Sequence, residues 1–448
     1  MQTPESAKTA PAENVKSPGG RYFKLSLYLA MMAIGAGQTV VFAVLPMLGR
    51  ALALDELVIE LPALNFSYQP RELAITLLSA LTALAFSISA PKWGRLSDRL
   101  GKRKSIILVG LVGHSLGSLL FCSVAWAGMV GWLSGVFFYF LLVLSRALHA
   151  SVLAATHPSI SAYMVDVTTL AERTKGIVKL QSFNQLGVML GPILAWYVHI
   201  SYLAPLLIHA VITLFVAMLV WWYLPESTIA RSPGIAADDD AERNTTPPGK
   251  ASYFDPRYRE LLLTAFLLFS LVSLVQQTLG FYFQDRLHLD GVKAAQYFSL
   301  SMVASSVAMV IGQLTVVRFF HSFPLRLVVI GMPLLITSFA VLAVSHSFAG
   351  LMTGMGVFGL AMGLNGAGLN ATATFLVKPE EQGSLAGMVG AVIGMGFVSG
   401  PLLGGFLYGI QDYAPYVFAC VLGVLLWLKV AHLERGLRDY FKEQLKTG

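Results

Sequence analysis

Residues 93–105 read WGRLSDRLGKRKS and lie between two long apolar runs. This short link gathers five cations around a single acid, Asp98, and contains two glycines, Gly94 and Gly101. Lysine and arginine accumulate in the cytoplasmic loops of membrane proteins. That rule explains the positive charge of the link, but it does not explain the glycines or the aspartate.

The composition of the whole chain places it in a membrane. Of its 448 residues 56% are hydrophobic and 12% are charged, whereas soluble globular domains have about 25% charged residues. The net charge of +7 does not indicate a nucleic-acid partner, because the basic residues are confined to links between apolar runs. Cys122 and Cys420 lie inside apolar runs and are predicted to be buried thiols. No metal and no cofactor is expected.

Twelve apolar runs approach or exceed the roughly 20 residues that a membrane-spanning helix needs. They are predicted near residues 23–48, 73–92, 105–127, 133–163, 176–198, 203–224, 258–283, 293–318, 326–347, 349–377, 383–409 and 413–432. Residues 225–257, rich in proline and aspartate, are predicted to be a cytoplasmic linker. The expected fold is an all-α polytopic membrane protein with twelve transmembrane helices in two pseudo-symmetric six-helix halves. The halves are residues 23–224 and 258–432, with a disordered cytoplasmic tail at 1–22 and a second tail at 433–448.

The distribution of cations predicts the orientation. With the N-terminus inside, 26 of the 31 lysines and arginines fall on the cytoplasmic side. Both termini are therefore predicted to be cytoplasmic. The protein is further expected to be a monomeric multi-pass protein of a bacterial inner membrane. Arg146 is the exception, because it lies in the middle of the fourth span.

The ten residues 94–103, GRLSDRLGKR, resemble the loop signature between the second and third helices of the major facilitator superfamily, and the resemblance covers the whole chain. Glycine allows a tight turn and close helix approach, and Asp98 can pair with an arginine or a helix N-terminus. The resemblance implies a transporter rather than an enzyme. It also implies a conformational latch between the halves, formed by Gly94, Asp98, Arg99, Gly101 and Arg103.

Further motifs resemble those of proton-driven exporters in this family. Arg146 matches the arginine of the fourth-helix motif, with His149 where a glutamine is usual. The segment 162–176, AYMVDVTTLAERTKG, resembles the cytoplasmic end of that helix in tetracycline-type exporters. By resemblance, its residues Asp166, Glu172 and Arg173 form a cytoplasmic gate.

The fifth run contains a glycine–proline motif that the eleventh run repeats. It resembles the fifth-helix motif of proton antiporters, although Ala195 and Trp196 replace the terminal glycines in the first copy. Ordinary helix packing also uses glycines at this spacing. The motif residues are Gly187, Gly191, Pro192, Gly396, Gly400 and Pro401.

Polar residues inside spans are costly and therefore mark functional sites. By resemblance, a set of seven lines the central cavity as the substrate and proton pathway: Gln38, Arg146, His149, Gln276, Gln277, Asn365 and Asn370. All 24 acids lie in tails, links or span ends, so charge complementarity favours a neutral or anionic substrate. The proton carrier stays open between Asp98, Asp166, His149 and an acid near a helix end. His114 and His157 are interpreted as histidines hydrogen-bonded inside the bundle.

The leading functional hypothesis is a proton-coupled antiporter that exports a drug or a secreted metabolite, with carboxylate siderophores as one candidate class. Its partners would be the small-molecule substrate, protons and the lipid bilayer, with no nucleic acid. The alternative is a proton-coupled importer of a small organic acid or a neutral nutrient. A non-transporting receptor of the same fold also stays open.

Overall fold

The computed structural model describes residues 22–61, 66–226, 252–319, 323–377 and 381–447. Within these ranges the chain forms twelve long helices, numbered here in chain order. The first six are α1 (Tyr22–Ala51), α2 (Glu72–Leu100), α3 (Arg103–Met129), α4 in two pieces (Gly135–Leu153 and Thr156–Asp166), α5 (Leu170–Leu194) and α6 (Ala204–Tyr223). The second six are α7 (Arg259–Arg286), α8 (Gly291–Phe319), α9 (Leu325–Val344), α10 (Phe348–Phe375), α11 (Gln382–Ile410) and α12 (Ala414–Thr447).

The remaining elements are short. Strands β1 (Ile59–Leu61) and β2 (Phe66–Tyr68) form an antiparallel hairpin between α1 and α2. Two 3₁₀ turns, Leu54–Glu56 and Ala195–His199, follow α1 and α5. The predicted all-α polytopic fold is confirmed by this arrangement of helices.

Eleven of the twelve helices in the described part of the chain are long and apolar enough to cross a membrane. The twelfth is α5, whose apolar part is interrupted by Gln181, Asn184 and Gln185. Its 25 residues still reach through the bundle, and it packs along α1. This helix contains most of the fifth apolar run predicted from the sequence, 176–198, and its length and packing agree with a span.

Two of the predicted segments lie largely outside the described residues. The tail at 1–22 is described only at Tyr22, and the linker at 225–257 only at its two ends. At the other end of the chain, α12 continues to Thr447 through the segment predicted as a second tail.

The two halves repeat the same helix pairs. In the first half α1 packs on α5, α2 on α4, and α3 on both α4 and α6. In the second half α7 packs on α11, α8 on α10, and α9 on both α10 and α12. Each pair recurs six helices later, which is the internal symmetry of transporters that alternate between two openings.

The halves meet closely at one face of the bundle and part toward the other. We call the face where α1 begins and α2 ends the terminal face, and the opposite face the far face. Near the far face α11 presses on α2, since a β-carbon at Gly405 would lie 2.9 Å from the Cα of Leu73. Midway, a β-carbon at Gly394 would lie 2.9 Å from Ser87 Oγ. Toward the terminal face, β-carbons at Gly387 and Gly390 of α11 would meet nothing within 4 Å, so the close contact between α11 and α2 ends before that face.

Candidate functional site

The signature at 94–103 is mostly helical, which corrects its prediction as a loop. Helix α2 does not end at residue 92 but continues to Leu100, and α3 begins at Arg103. A helix that leaves the apolar layer can continue with polar side chains, because its backbone hydrogen bonds remain internal. Gly101 ends α2 with φ +64°, the left-handed conformation in which glycine commonly terminates helices. Gly94 lies inside α2, and a β-carbon there would meet only Pro158 Cβ, at 3.9 Å. The predicted tight turn is therefore made by Gly101, and Gly94 takes no part in it.

Arg103 connects the latch residues to the predicted gate. Its guanidinium donates to Asp98 Oδ1 at 2.5 Å, to Ser97 Oγ at 3.1 Å and to Asp166 Oδ2 at 3.0 Å. The Arg103 side chain is 8% exposed, whereas that of Asp98 is 65% exposed. These bonds join the ends of α2, α3 and α4, all within the first half. The latch between the two halves stays a prediction. In this conformation, which is open at the terminal face, the latch residues Asp98 and Arg103 bind partners within the first half.

The other members of the latch and gate lie at the same face. Arg99 and Glu172 are exposed, and Arg173 is partly buried. Glu226, just after α6, accepts from the backbone N–H of Lys104 at 3.1 Å and from Ser105 Oγ at 3.0 Å. A carboxylate at the start of α3 is favourable because the first turn of a helix has unpaired N–H groups and a partial positive charge.

Arg146 lies inside the first half, which corrects the expectation that it faces the central cavity. The residue is 6% exposed, and its guanidinium carbon lies 5.2 Å from the ring centre of Phe121. Arg146 Nη1 lies 3.2 Å from His149 Nδ1. The space beside them, about 10 Å³, is lined by residues of α1, α3, α4 and α6, and it is at the lower limit for holding a water molecule. The sequence placed this arginine at the correct depth but not in the correct direction.

Three histidines form a continuous hydrogen-bonded chain beside Arg146. His149 Nε2 lies 2.6 Å from His114 Nδ1, and His114 Nε2 lies 3.1 Å from His209 Nδ1. His209 Nε2 is 2.9 Å from the carbonyl oxygen of Ala33. The chain therefore crosses from α4 through α3 and α6 to α1. We call it the histidine chain. The prediction of His114 as hydrogen-bonded in the bundle is confirmed, but the sequence reading missed His209, although it is a polar residue inside the sixth span.

The five amides of the predicted pathway divide into two groups. Gln38 and Asn370 are exposed and Gln276 is partly buried, while Gln277 is 5% and Asn365 0% exposed. Asn365 packs toward Gly331 of α9 inside the second half. Burial of Gln277, Asn365 and His149 corrects the expectation that all seven residues line the central cavity. Asn370, with Thr374 and Gln382, instead lines a cavity of about 170 Å³.

The glycine–proline motif brings α5 into backbone contact with α1. Gly187 and Gly191 lie against the carbonyl groups of Met32 and Ala36, where no side chain would fit. Pro192 lacks an N–H and so leaves the carbonyl of residue 188 without its helical donor. Thr39 of α1 donates to that carbonyl at 3.0 Å, which fastens the two helices at the proline.

The second copy of the motif packs α11 against α7 in the same way. Gly396 and Gly400 lie against the backbone of Ser270, and the hydroxyls of Ser270 and Ser399 are 2.9 Å apart. Equivalent glycines thus make equivalent contacts in the two halves.

A network at the far face, which sequence reasoning missed, joins the two halves. Arg50 at the end of α1 binds Asp285 at the end of α7, Gln284 Oε1 at 3.1 Å and Glu72 Oε1 at 3.0 Å. Tyr408 of α11 donates to Asp285 Oδ2 at 2.6 Å. The sequence does show Arg50 and Asp285 at the ends of equivalent helices, α1 and α7. That they pair with each other depends on how the two halves pack, which the sequence does not show.

Comparison with known proteins agrees with this architecture. The family model described as Major Facilitator Superfamily matches residues 27–385 and 302–444. Multidrug resistance protein 2 of Bacillus subtilis (strain 168) is 27% identical over 347 residues, which cover 76% of this chain and 82% of that protein. The class B tetracycline resistance protein of Escherichia coli is 25% identical over 350 residues, covering 74% and 78%. The crystal structure of the nucleoside transporter NupG superimposes with a TM-score of 0.67 at 15% identity, covering 92% of this chain and 98% of that one.

Proposed function

This chain belongs to the major facilitator superfamily and is a multi-pass membrane transporter rather than an enzyme, and we propose that it is a proton-coupled antiporter that exports a small organic molecule. Transport by alternating access is supported by the two symmetric halves, which are closed at the far face and apart toward the terminal face. Export is supported by the names of two relatives, which describe multidrug and tetracycline resistance.

The proposed orientation has the terminal face in the cytoplasm of a bacterial cell. The support is the positive-inside asymmetry, with 26 of 31 lysines and arginines on that side. In this orientation the structure is inward-open. It is the state in which an exporter takes up its substrate from the cytoplasm.

The proposed substrate is neutral, which narrows the sequence-based expectation of a neutral or anionic molecule. Arg146 was the one mid-span cation that could attract an anion, and the structure encloses that side chain in the first half. The polar groups of the 170 Å³ cavity are amides and a hydroxyl, from Asn370, Gln382 and Thr374. Such groups offer hydrogen bonds without a net charge, which suits an uncharged polar molecule.

The test uses inside-out vesicles with an acidified lumen and three labelled probes of different charge: chloramphenicol, citrate and ethidium. We expect accumulation of chloramphenicol that collapses when the pH gradient is removed. Accumulation of citrate would restore the anionic class, and accumulation of ethidium alone would overturn the substrate assignment. Uptake only in right-side-out vesicles with acid outside would show an importer instead.

A further inference from the structure

The histidine chain has a single polarity that follows from its two ends. The carbonyl of Ala33 can only accept, so His209 Nε2, 2.9 Å away, carries the hydrogen. In a neutral ring the other nitrogen then accepts, so His209 Nδ1 accepts from His114 Nε2, and His114 Nδ1 accepts from His149 Nε2. His149 Nδ1 is left as the acceptor for Arg146. Three neutral rings therefore satisfy every ring nitrogen.

An additional proton does not fit this arrangement. Wherever it binds, the N–H hydrogens can shift along the chain until the extra one is on His149 Nδ1. That N–H would then point at the Arg146 guanidinium, which has donors and no acceptor. Protonation of the chain and the contact between Arg146 and His149 therefore exclude one another, by hydrogen bonding and by like-charge repulsion.

The surroundings leave the histidines as the groups able to exchange a proton at this depth. The titratable or charged groups that face the chain are Arg146 of α4 and, next to Arg146, the thiol of Cys122 on α3. All 24 acids of the sequence lie in tails, links or span ends. Histidine is the side chain whose charge ordinarily changes between pH 5 and 8. A metal site is a poor alternative, because the ring nitrogens bind one another in sequence rather than converge on one point.

From this geometry we infer that the coupling proton of the proposed antiporter binds on His149, His114 and His209 and displaces Arg146 from His149. The inference rests on the proposed function. The inward-open structure, with three neutral rings, is the state that follows release of the proton to the cytoplasm. The proton site is also linked to the far face, because α1 carries both the chain's final acceptor, Ala33, and Arg50, which binds the second half.

The first test replaces each histidine of the chain with glutamine, which retains a donor and an acceptor but takes up no proton. The control is His157→Gln, which changes a partly buried histidine of the first half that does not belong to the histidine chain. An antiporter that exchanges one proton accumulates its substrate about tenfold per pH unit of gradient. In proteoliposomes with the transported probe from the three named above, we expect this accumulation in wild type and in His157→Gln. The three chain variants should exchange the probe across membranes without a gradient but accumulate it to a ratio of about one.

Two outcomes overturn the inference. Accumulation by the chain variants at the wild-type ratio places the proton elsewhere, while the proposed function stands. If the variants are as stable as wild type but lose both exchange and accumulation, the histidine chain is a purely structural element. If wild type accumulates none of the probes, the proposed function itself fails.

A second measurement needs neither a variant nor a substrate. In ¹⁵N-histidine-labelled wild-type protein, the short bond between His149 Nε2 and His114 Nδ1 gives a cross-peak that identifies the chain by nuclear magnetic resonance. On acidification of proteoliposomes from about pH 8 to about pH 5, we expect one ring of the chain to acquire a second N–H. Three rings that remain neutral throughout would contradict the inference.

Discussion

The guanidinium of Arg50 and the carboxylate of Asp285 form a two-pronged ion pair, with Nη1–Oδ1 2.5 Å and Nη2–Oδ2 2.8 Å apart, that joins the first half to the second. Both side chains are partly shielded from water, at 16% and 35% exposure. Paired hydrogen bonds between charged groups are stronger than neutral ones and fix orientation. Opening of the far face must break this pair, so the pair sets part of the energy difference between the state open at the terminal face and the state open at the far face.

Asp285→Asn should shift the equilibrium toward the state that is open at the far face. Hydrogen bonds to charged groups contribute about 1.5–3 kcal/mol, enough to change a population ratio by tenfold or more. Spin labels at the exposed far-face positions Trp132 and Val344, in a background without Cys122 and Cys420, report the separation of the halves. We expect the longer distance to gain population.

Lys293→Gln is the matched control for that measurement. Lys293 also lies near the far face, but its ion pair with Asp290 is exposed and local, and such pairs contribute little. An unchanged distance distribution in Asp285→Asn, or an equal shift in both variants, would show that the Arg50 pair does not hold the far face closed.

Gly400→Ala should destabilise the protein, whereas Gly387→Ala should not. A β-carbon at Gly400 would lie 2.6 Å from the carbonyl oxygen of Ser270, and one at Gly387 meets nothing within 4 Å. Overpacking typically costs about 1–3 kcal/mol. Thermal unfolding in detergent compares the two variants of the same helix. Equal stability would show that α7 and α11 do not depend on close approach at the motif.

The two glycines of the signature should respond differently to alanine. Gly101→Ala places a side chain at φ +64°, which costs roughly 1–2 kcal/mol. Gly94→Ala meets only an ordinary contact at 3.9 Å and should be neutral or slightly stabilising, because alanine favours helices. Unfolding free energies in denaturant would decide. A larger loss at Gly94 would indicate that this glycine contacts the second half in another conformation.

Asp166→Asn should destabilise the first half more than Asp98→Asn. Both carboxylates bind Arg103, but their side chains are 22% and 65% exposed, so water compensates for the loss of Asp98 more fully. Asp98→Asn should still slow transport strongly if it forms the latch between the halves. Wild-type transport by Asp98→Asn at equal membrane abundance would remove the latch from the mechanism.

A cysteine at Arg146 should resist charged thiol reagents in a background without Cys122 and Cys420. The arginine is 6% exposed in the first half, whereas Gln38 is exposed, so Gln38→Cys is the reactive control. Modification of Arg146→Cys that substrate prevents would mean that the arginine faces the central cavity after all. Transport should also fall in Arg146→Lys, because an ammonium cannot reproduce the planar guanidinium that lies over the ring of Phe121.

The fold could be predicted from the sequence because membrane spans leave a long-range apolar signal. The twelve runs and the repeat of Gly187–Pro192 in Gly396–Pro401 were sufficient to predict two symmetric halves. The end of α2 was not predicted, because hydropathy marks where the apolar layer ends and not where the helix ends. Helical hydrogen bonding continues to Leu100.

The candidate site was predicted less completely, because depth along a helix is visible in sequence and direction is not. Arg146 and His149 were located at mid-span, yet a stripe of polar residues can face either the central cavity or the interior of one half. The histidine chain joins residues up to 176 positions apart. Its assembly depends on how α1, α3, α4 and α6 pack, which local patterns do not specify.

The burial of Arg146 has an electrical consequence. The guanidinium of Arg146 lies inside one compact half, and its displacement from His149 on protonation is a local movement within that half. A unit charge that crosses the whole membrane field gains or loses about 2.3 kcal/mol per 100 mV, but a charge fixed within a half that only tilts crosses a small part of that field. The guanidinium should therefore contribute little to the current that accompanies transport. Currents recorded from the protein on a solid-supported membrane should then count the protons and the charge of the substrate.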